Sequence, residues 1–109
     1  MKRALTIISI TAGLSWITPA FAAADAAAGK ATFASKCAGC HGAGGEGKDS
    51  LAKMLKVEMR PLGSKEVQSQ SDSDLKKVVL EGTGKMKASA GIDAKTADDV
   101  VAYLRTLKK

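Results

Sequence analysis

Both cysteines of the chain and its single histidine lie within the five-residue segment Cys37-Ala38-Gly39-Cys40-His41. Residues three and four positions apart lie on the same side of a helical turn, so both sulfur atoms and the imidazole can face one bound group. The two residues between the cysteines are small and leave room for a planar group to lie close to the backbone. A fold that contains this segment therefore has to provide space beside it.

The spacing of these three residues is the attachment signature of c-type haem. In this interpretation the thiols of Cys37 and Cys40 add to the two vinyl groups along one haem edge, and His41 ligates the iron. An axial histidine usually donates a hydrogen bond from its other ring N–H to a backbone carbonyl, and the carbonyl of Pro61 is our candidate. The alternative role of Pro61 is that of a rigid turn.

Three other uses of the cysteine pair are less consistent with the sequence. A thioredoxin-like redox site follows a strand and begins a helix, whereas a helical pattern precedes Cys37. A structural zinc site needs four ligands, and the chain has two cysteines and one histidine. A disulfide between Cys37 and Cys40 would leave the adjacent His41 unexplained. We therefore expect one covalently bound haem per chain.

The amino-terminal segment resembles an export signal. Lys2 and Arg3 form a basic start, residues 4–17 are mostly apolar, and small residues lead to a cut after Ala22. A cut after Ala24 is the alternative site. An uncleaved membrane anchor is the other interpretation, but the apolar run is shorter than the about 20 residues that a spanning helix needs. We predict a signal peptide at residues 1–22 and a location in the periplasm.

The remaining residues, 23–109, form one small domain with few large side chains for a core. Only two of its residues are aromatic, Phe33 and Tyr103. Removal of residues 1–22 takes away two basic and no acidic residues, which lowers the net charge from +6 to +4. A domain this small has a marginal core without a staple or a cofactor, and this favours haem as part of its interior.

The sequence of the first half of the domain predicts helices that are separated by a glycine-rich loop. A helix is expected over 26–37, because Gly29, Phe33 and Cys37 recur at four-residue steps along one face. The segment 42–47 contains four glycines, which cost too much backbone entropy in a helix, and predicts a loop. A short helix over 49–57 and a turn at residues 61–64 follow.

The second half predicts two more helices around an irregular segment. Ser71 can begin one helix, whose buried stripe comprises Leu75, Val78 and Val79. Gly82 is expected to end it, and residues 81–90 predict an extended loop. Thr96 is expected to cap the last helix, with an inner face of Val100, Leu104 and Leu107. No run alternates long enough to predict a strand, so the expected fold class is all-α, with three to five short helices around the haem.

The sixth ligand of the iron decides between an electron carrier and a protein with an open site. No second histidine exists, so the candidates after residue 22 are Met54, Met59 and Met86. Met54 lies on an apolar helical pattern and is expected to pack, and Met59 is close to a proline turn. Met86 lies among glycines and lysines in a late loop, where burial alone would gain little. We predict Met86 as the ligand opposite His41.

Over residues 25–109 the chain resembles class I cytochrome c in its compact bacterial form. The likeness is carried by the segments Gly29-Lys30 with Phe33, Cys37 to Gly42, Gly82 to Met86, and Val100 to Leu104. The resemblance implies that Met86 is the distal ligand, that Pro61 faces the proximal histidine, and that the first and last helices cross at Gly29. One residue departs from the pattern, because Lys87 stands where the family often has proline.

The expected function is that of a single-electron carrier without enzymatic activity, since both axial sites of the iron are filled. The alternatives are a sensor or catalytic haem protein with a labile sixth site, and a subunit of a larger oxidoreductase. Acidic redox proteins are the expected partners, steered by lysines that flank the haem segments: Lys36, Lys48, Lys85 and Lys87. Membrane contact is expected only through such partners.

Two further classes of ligand are disfavoured by the sequence. Residues 42–48 have the spacing of a phosphate-binding loop, but Asp49 stands where a hydroxyl must hold magnesium, so no nucleotide is expected. The net positive charge is not clustered on one helix, and with export this argues against a nucleic-acid partner.

Overall fold

The computed structural model describes Gly13 and residues 24–109. The predicted signal peptide, apart from Gly13, therefore lies outside the described residues. The described part is mostly helical, which confirms the all-α prediction, but it contains six helices where three to five were expected. The elements in chain order are α1 (Ala26–Lys36), α2 (Ala38–His41), α3 (Asp49–Leu55), α4 (Lys65–Gln68), α5 (Asp72–Glu81), β1 (Gly82–Thr83), β2 (Met86–Lys87) and α6 (Ala94–Thr106).

The first and last helices cross at Gly29, as the family resemblance implies. A Cβ atom built on Gly29 would overlap the backbone carbonyl of Asp99 in α6, so only glycine allows this approach. One turn further along, the rings of Phe33 and Tyr103 pack with their centroids 5.2 Å apart and their planes tilted by 58°. The only two aromatic residues of residues 23–109 thus join α1 to α6.

The hydrophobic core is built around this crossing. Its buried members come from α1, α5, α6 and the cysteine segment: Phe33, Cys37, Val79, Ala97, Val100, Tyr103 and Leu104. Most of the apolar residues predicted to form the buried faces of α5 and α6 are indeed buried, although Val78 and Leu107 are only half-buried. Cys37 is part of the core, so the cysteine segment lies directly against the packed helices.

The caps of α5 and α6 test two of the sequence predictions. The Ser71 hydroxyl accepts a hydrogen bond from the Asp74 amide at 3.1 Å, which confirms Ser71 as the start of α5. The predicted cap at Thr96 is wrong, because α6 begins at Ala94 and its N-cap is Asp93. The Asp93 carboxylate accepts from the Thr96 amide at 2.8 Å, since it lies three residues earlier, where a cap can reach that amide.

The extended loop predicted for 81–90 is partly a hairpin. Glu81 is still the last residue of α5, and the antiparallel strands β1 and β2 follow, with Thr83 opposite Met86. Their two-residue loop begins with Gly84 at φ 53°, the position at which tight hairpins of type II′ carry glycine. Strands of two residues are too short for an alternating pattern, so sequence periodicity could not predict them.

Candidate haem site

The residues of the attachment segment lie on one helical turn. The carbonyl oxygen of Cys37 accepts hydrogen bonds from the amides of Cys40, at 3.2 Å, and His41, at 3.0 Å. Cys37 ends α1 and caps α2, so the two helices hold the turn from both sides. The Cys37 side chain is buried and that of Cys40 is exposed. The turn therefore runs from the core to the surface, with a sulfur atom at each end.

Both cysteines have free thiols, so the disulfide alternative is not adopted in this structure. Burial raises the pKa of the Cys37 thiol, and the neighbouring Cys40 raises it further. Among the described residues no three histidine, cysteine or acidic side chains are grouped to hold a metal ion. Around Gly39 a Cβ atom would meet no other atom within 4 Å. Two free thiols beside open space fit covalent attachment of a large planar group.

His41 is half-buried, and its ring Nδ1 atom is buried without a hydrogen-bond partner. Burial lowers the pKa of His41, so the ring is neutral near pH 7, the form in which imidazole binds metals. The ring therefore has the protonation state and the partial exposure that an axial ligand requires. An orphaned buried nitrogen is costly, and this cost indicates a site whose hydrogen bonds are completed by a further group.

The turn that carries Pro61 lies next to the loop that follows His41. The Leu62 amide donates to the Gly45 carbonyl at 2.8 Å, which joins turn and loop. However, Pro61 itself is exposed and its carbonyl accepts from the Ser64 amide at 3.0 Å, while Nδ1 of His41 has no partner. The hydrogen bond that we expected between Pro61 and His41 is thus not formed in this structure.

Met86 lies on β2 and is half-buried. Its backbone is paired with Thr83, and Gly82 approaches so closely that a Cβ at position 82 would overlap the Met86 carbonyl. The Ser89 amide then donates to the Val79 carbonyl of α5 at 3.4 Å. The hairpin therefore fixes the backbone of Met86 to α5, so the segment is less free than a glycine-rich loop would be.

The other two methionines have different surroundings. Met54 is 71% exposed, so the packing role predicted for it is wrong within this chain. Met59 is half-buried and lines an open hollow beside α3 together with Ala52 and Val57. The hollow contains none of the residues predicted to hold haem. Cys37, Cys40 and His41 thus lie on one helical turn, whereas Met86 and Pro61 lie on two separate segments.

No helix in the described part of the chain combines the length and the apolar character that crossing a bilayer requires.

Two residues that the sequence did not single out are also notable. Asp99 is almost fully buried and accepts from Lys95 and from the Asp25 amide. The side-chain amide of Gln68 donates to the backbone carbonyls of Leu62 and Leu104. Lys95 and Asp99 are a local pair four residues apart on α6, but the bonds from Asp25 to Asp99 and from Gln68 to Leu104 join distant segments that only the tertiary structure shows.

The helical fold and the attachment turn define a c-type cytochrome, and comparison with known proteins agrees. Residues 24–104 match the family model described as cytochrome C oxidase, cbb3-type, subunit III, and the chain belongs to this family. No match was found among curated protein sequences.

Solved structures show the same fold. The c-type cytochrome KustC0563 is 25% identical with a TM-score of 0.62, over 74% of this chain and 98% of that one. Cytochrome c6 from the diatom Phaeodactylum tricornutum is 28% identical with a TM-score of 0.53, over 73% and 90%. Cytochrome CL from Methylophaga aminisulfidivorans is 22% identical with a TM-score of 0.59, over 76% of this chain but only 53% of that one.

Proposed function

We propose that this cytochrome carries single electrons through one covalently attached haem, with His41 and Met86 as axial ligands. The observation that supports this most directly is the helical turn that carries Cys37, Cys40 and His41, with a neutral His41 ring whose Nδ1 has no hydrogen-bond partner. Haem bound there supplies an iron that alternates between the ferrous and ferric states.

The protein residues have distinct roles in this proposal. Cys37 and Cys40 would anchor the cofactor covalently, and His41 would bind its iron. Met86, whose backbone the hairpin fixes, would provide a thioether as the second protein ligand and would favour the ferrous state, because thioether is a weak donor to ferric iron. With both axial positions filled, no substrate reaches the metal, so the protein transfers electrons and has no enzymatic activity.

Absorption spectra of the purified protein in both oxidation states test this proposal. A covalent c-type spectrum that survives acid-acetone extraction supports the attachment. A weak sulfur-to-iron band in the red region of the ferric spectrum supports methionine ligation. Ready binding of carbon monoxide at neutral pH by the wild-type protein would instead favour a sensor or catalyst with a labile sixth site.

Export to the periplasm is part of the same proposal, because the basic and apolar start of the sequence has the features of a signal peptide. Amino-terminal sequencing of the purified protein is expected to give Ala23 as the first residue. Recovery of residues 1–22 in a membrane fraction would favour the anchored form.

A second candidate is a role as a subunit of a larger oxidoreductase, since the matching family is described as an oxidase subunit. Either form would use acidic partner surfaces, which the exposed lysines near the predicted haem segments would attract. Affinity purification from the native host at low ionic strength separates the two, because a free carrier elutes alone and a subunit co-elutes in fixed proportion with its complex.

A further inference from the structure

The side-chain amide of Gln68 joins two segments that are distant in the sequence. Its Nε2 atom donates to the carbonyl oxygens of Leu62 and Leu104, each at 2.9 Å. A primary amide has two N–H donors, so both are used. Leu62 belongs to the turn that carries Pro61, and Leu104 belongs to α6. One side chain therefore fixes the Pro61 turn to the last helix.

Arg105 holds Gln68 in the orientation that these bonds need. Its Nη1 atom donates to the Gln68 carbonyl at 2.9 Å and to the side-chain Oε1 at 3.3 Å. Its other nitrogens bond to the Gln70 carbonyl, at 2.6 Å, and to the Asp72 carboxylate, at 2.9 Å. Since Oε1 faces a donor that cannot accept, the amide nitrogen has to point to the two carbonyls.

Further hydrogen bonds lead from Leu62 to His41, the residue that is predicted to bind iron, and we call the whole chain of bonds from Gln68 to His41 the tie. Leu62 donates its amide to the Gly45 carbonyl at 2.8 Å, and the Gly45 amide donates to the Gly42 carbonyl at 3.1 Å. The Gly47 amide closes the same loop on the carbonyl of His41 at 2.6 Å. The peptide groups flanking Leu62 therefore connect the amide of Gln68 on one side with the loop of His41 on the other.

We propose that Gln68 is a positioning residue for the His41 side of the haem site. Through Leu62 it sets where the Pro61 turn stands relative to the loop that begins at His41, and so it controls the surroundings of the His41 ring. This proposal rests on the proposed role of His41 as an iron ligand. Loss of the two N–H donors removes the Gln68 bond to the Leu62 carbonyl and frees the turn, whereas the Leu104 carbonyl still accepts from the Leu107 amide at 3.1 Å.

Two variants of the full holoprotein remove the donors in different ways. Gln68→Glu keeps the length of the side chain and an acceptor for Arg105, and Gln68→Met keeps the length without a charge. Asp72→Asn is the matched control, because it removes only the charge that Arg105 pairs with and leaves the Arg105 bonds to Gln68 and the Gln68 bonds to Leu62 and Leu104. The free energy of unfolding is measured for all three, so that general destabilisation can be recognised.

Three readouts follow the tie from Leu62 to the haem. Hydrogen exchange of the Leu62 amide is expected to become about tenfold faster in both Gln68 variants and to change little in the control. The reduction potential and the NMR resonance of the proton on His41 Nδ1 are expected to shift in the same two variants only. A shift shared by the Glu and Met variants excludes the new charge as its cause.

The possible failures are distinguishable. Unchanged Leu62 exchange in the Gln68 variants would overturn the proposed tie. Faster exchange with an unchanged potential and an unchanged His41 resonance would limit Gln68 to fold stability and overturn its positioning role. A wild-type protein without covalent haem would overturn the proposed function itself, which these measurements on the variants do not address. If Gln68→Glu does not fold, the uncharged Met variant still decides the outcome.

Discussion

Gly29 of α1 lies so close to the carbonyl of Asp99 in α6 that no side chain fits between the two backbones. The same Asp99 binds the chain at the start of α1, since its carboxylate accepts from the Asp25 amide at 2.8 Å. The crossing of the first and last helices is therefore fixed twice, once by the absence of a side chain and once by a buried carboxylate.

Gly29→Ala is expected to destabilise the protein by about 2 kcal/mol or more, because the added methyl group has to push α1 away from α6. Chemical denaturation of the holoprotein measures the change. Ala34→Ser is the control, because Ala34 lies on the exposed side of the same helix and substitutions at such positions are usually close to neutral. Equal stability of the two variants would contradict the close crossing.

Asp99→Asn is expected to cost stability at neutral pH but not in acid. The Asp25 amide first, and then Lys95, lower the pKa of Asp99. A lowered native pKa means that the carboxylate stabilises the fold above its unfolded-state pKa of about 3.9, and that this contribution is lost as the pH falls through the native value.

Thermal unfolding of wild type and Asp99→Asn between pH 2 and 7 checks this dependence. The melting temperatures should differ at pH 7 and converge towards pH 2. Asp98→Asn serves as a comparison, because Asp98 pairs with Lys76 at a more exposed position and its loss should matter less. A gap of constant size across the pH range would show that the charge of Asp99 is not responsible.

The double variant Cys37→Ala, Cys40→Ala is expected to lose covalent haem and stable folding. Cys37 is a core residue, and a domain with two aromatic residues depends on the cofactor for much of its interior. Peroxidase staining of a denaturing gel detects covalent haem, and circular dichroism follows the helices. A stained band from the double variant would refute the attachment.

Met86→Ala is expected to open the iron while the bonds to Cys37 and Cys40 stay intact. Loss of a thioether that favours ferrous iron should lower the reduction potential and permit carbon monoxide to bind. The red-region band of the ferric spectrum should disappear in this variant and persist in Met54→Ala and Met59→Ala. Persistence of the band without Met86 would assign the ligand elsewhere.

Local patterns in the sequence predicted the parts of the fold that local physics decides. The four-residue steps that end at Cys37 gave α1, and Ser71 gave the start of α5, because periodicity and capping act within a few residues. The short strands around Gly84 escaped detection, since two residues cannot alternate. The cap of α6 was misplaced from Asp93 to Thr96 because both side chains can accept a backbone hydrogen bond.

The candidate site shows the same division. The cysteine and histidine turn follows from spacing alone, since every member lies within five residues. The surroundings of Pro61 depend on Gln68, whose partner Leu104 is 36 residues away, and no local pattern reveals such a pair. The exposed position of Met54 likewise depends on which elements pack against α3, and the helical pattern around it could not reveal this.

The contact between Asp25 and Asp99 spans 74 residues, so α6 leaves the ribosome long after α1, its partner in the core. Phe33 cannot be buried before Tyr103 exists, and closing so long a loop costs chain entropy that local contacts do not repay. Until α6 has been synthesised, the segment that carries Cys37 and Cys40 therefore lacks the helix against which α1 packs. Burial of Cys37 in the core thus waits for α6, since that helix supplies most of the side chains that enclose it.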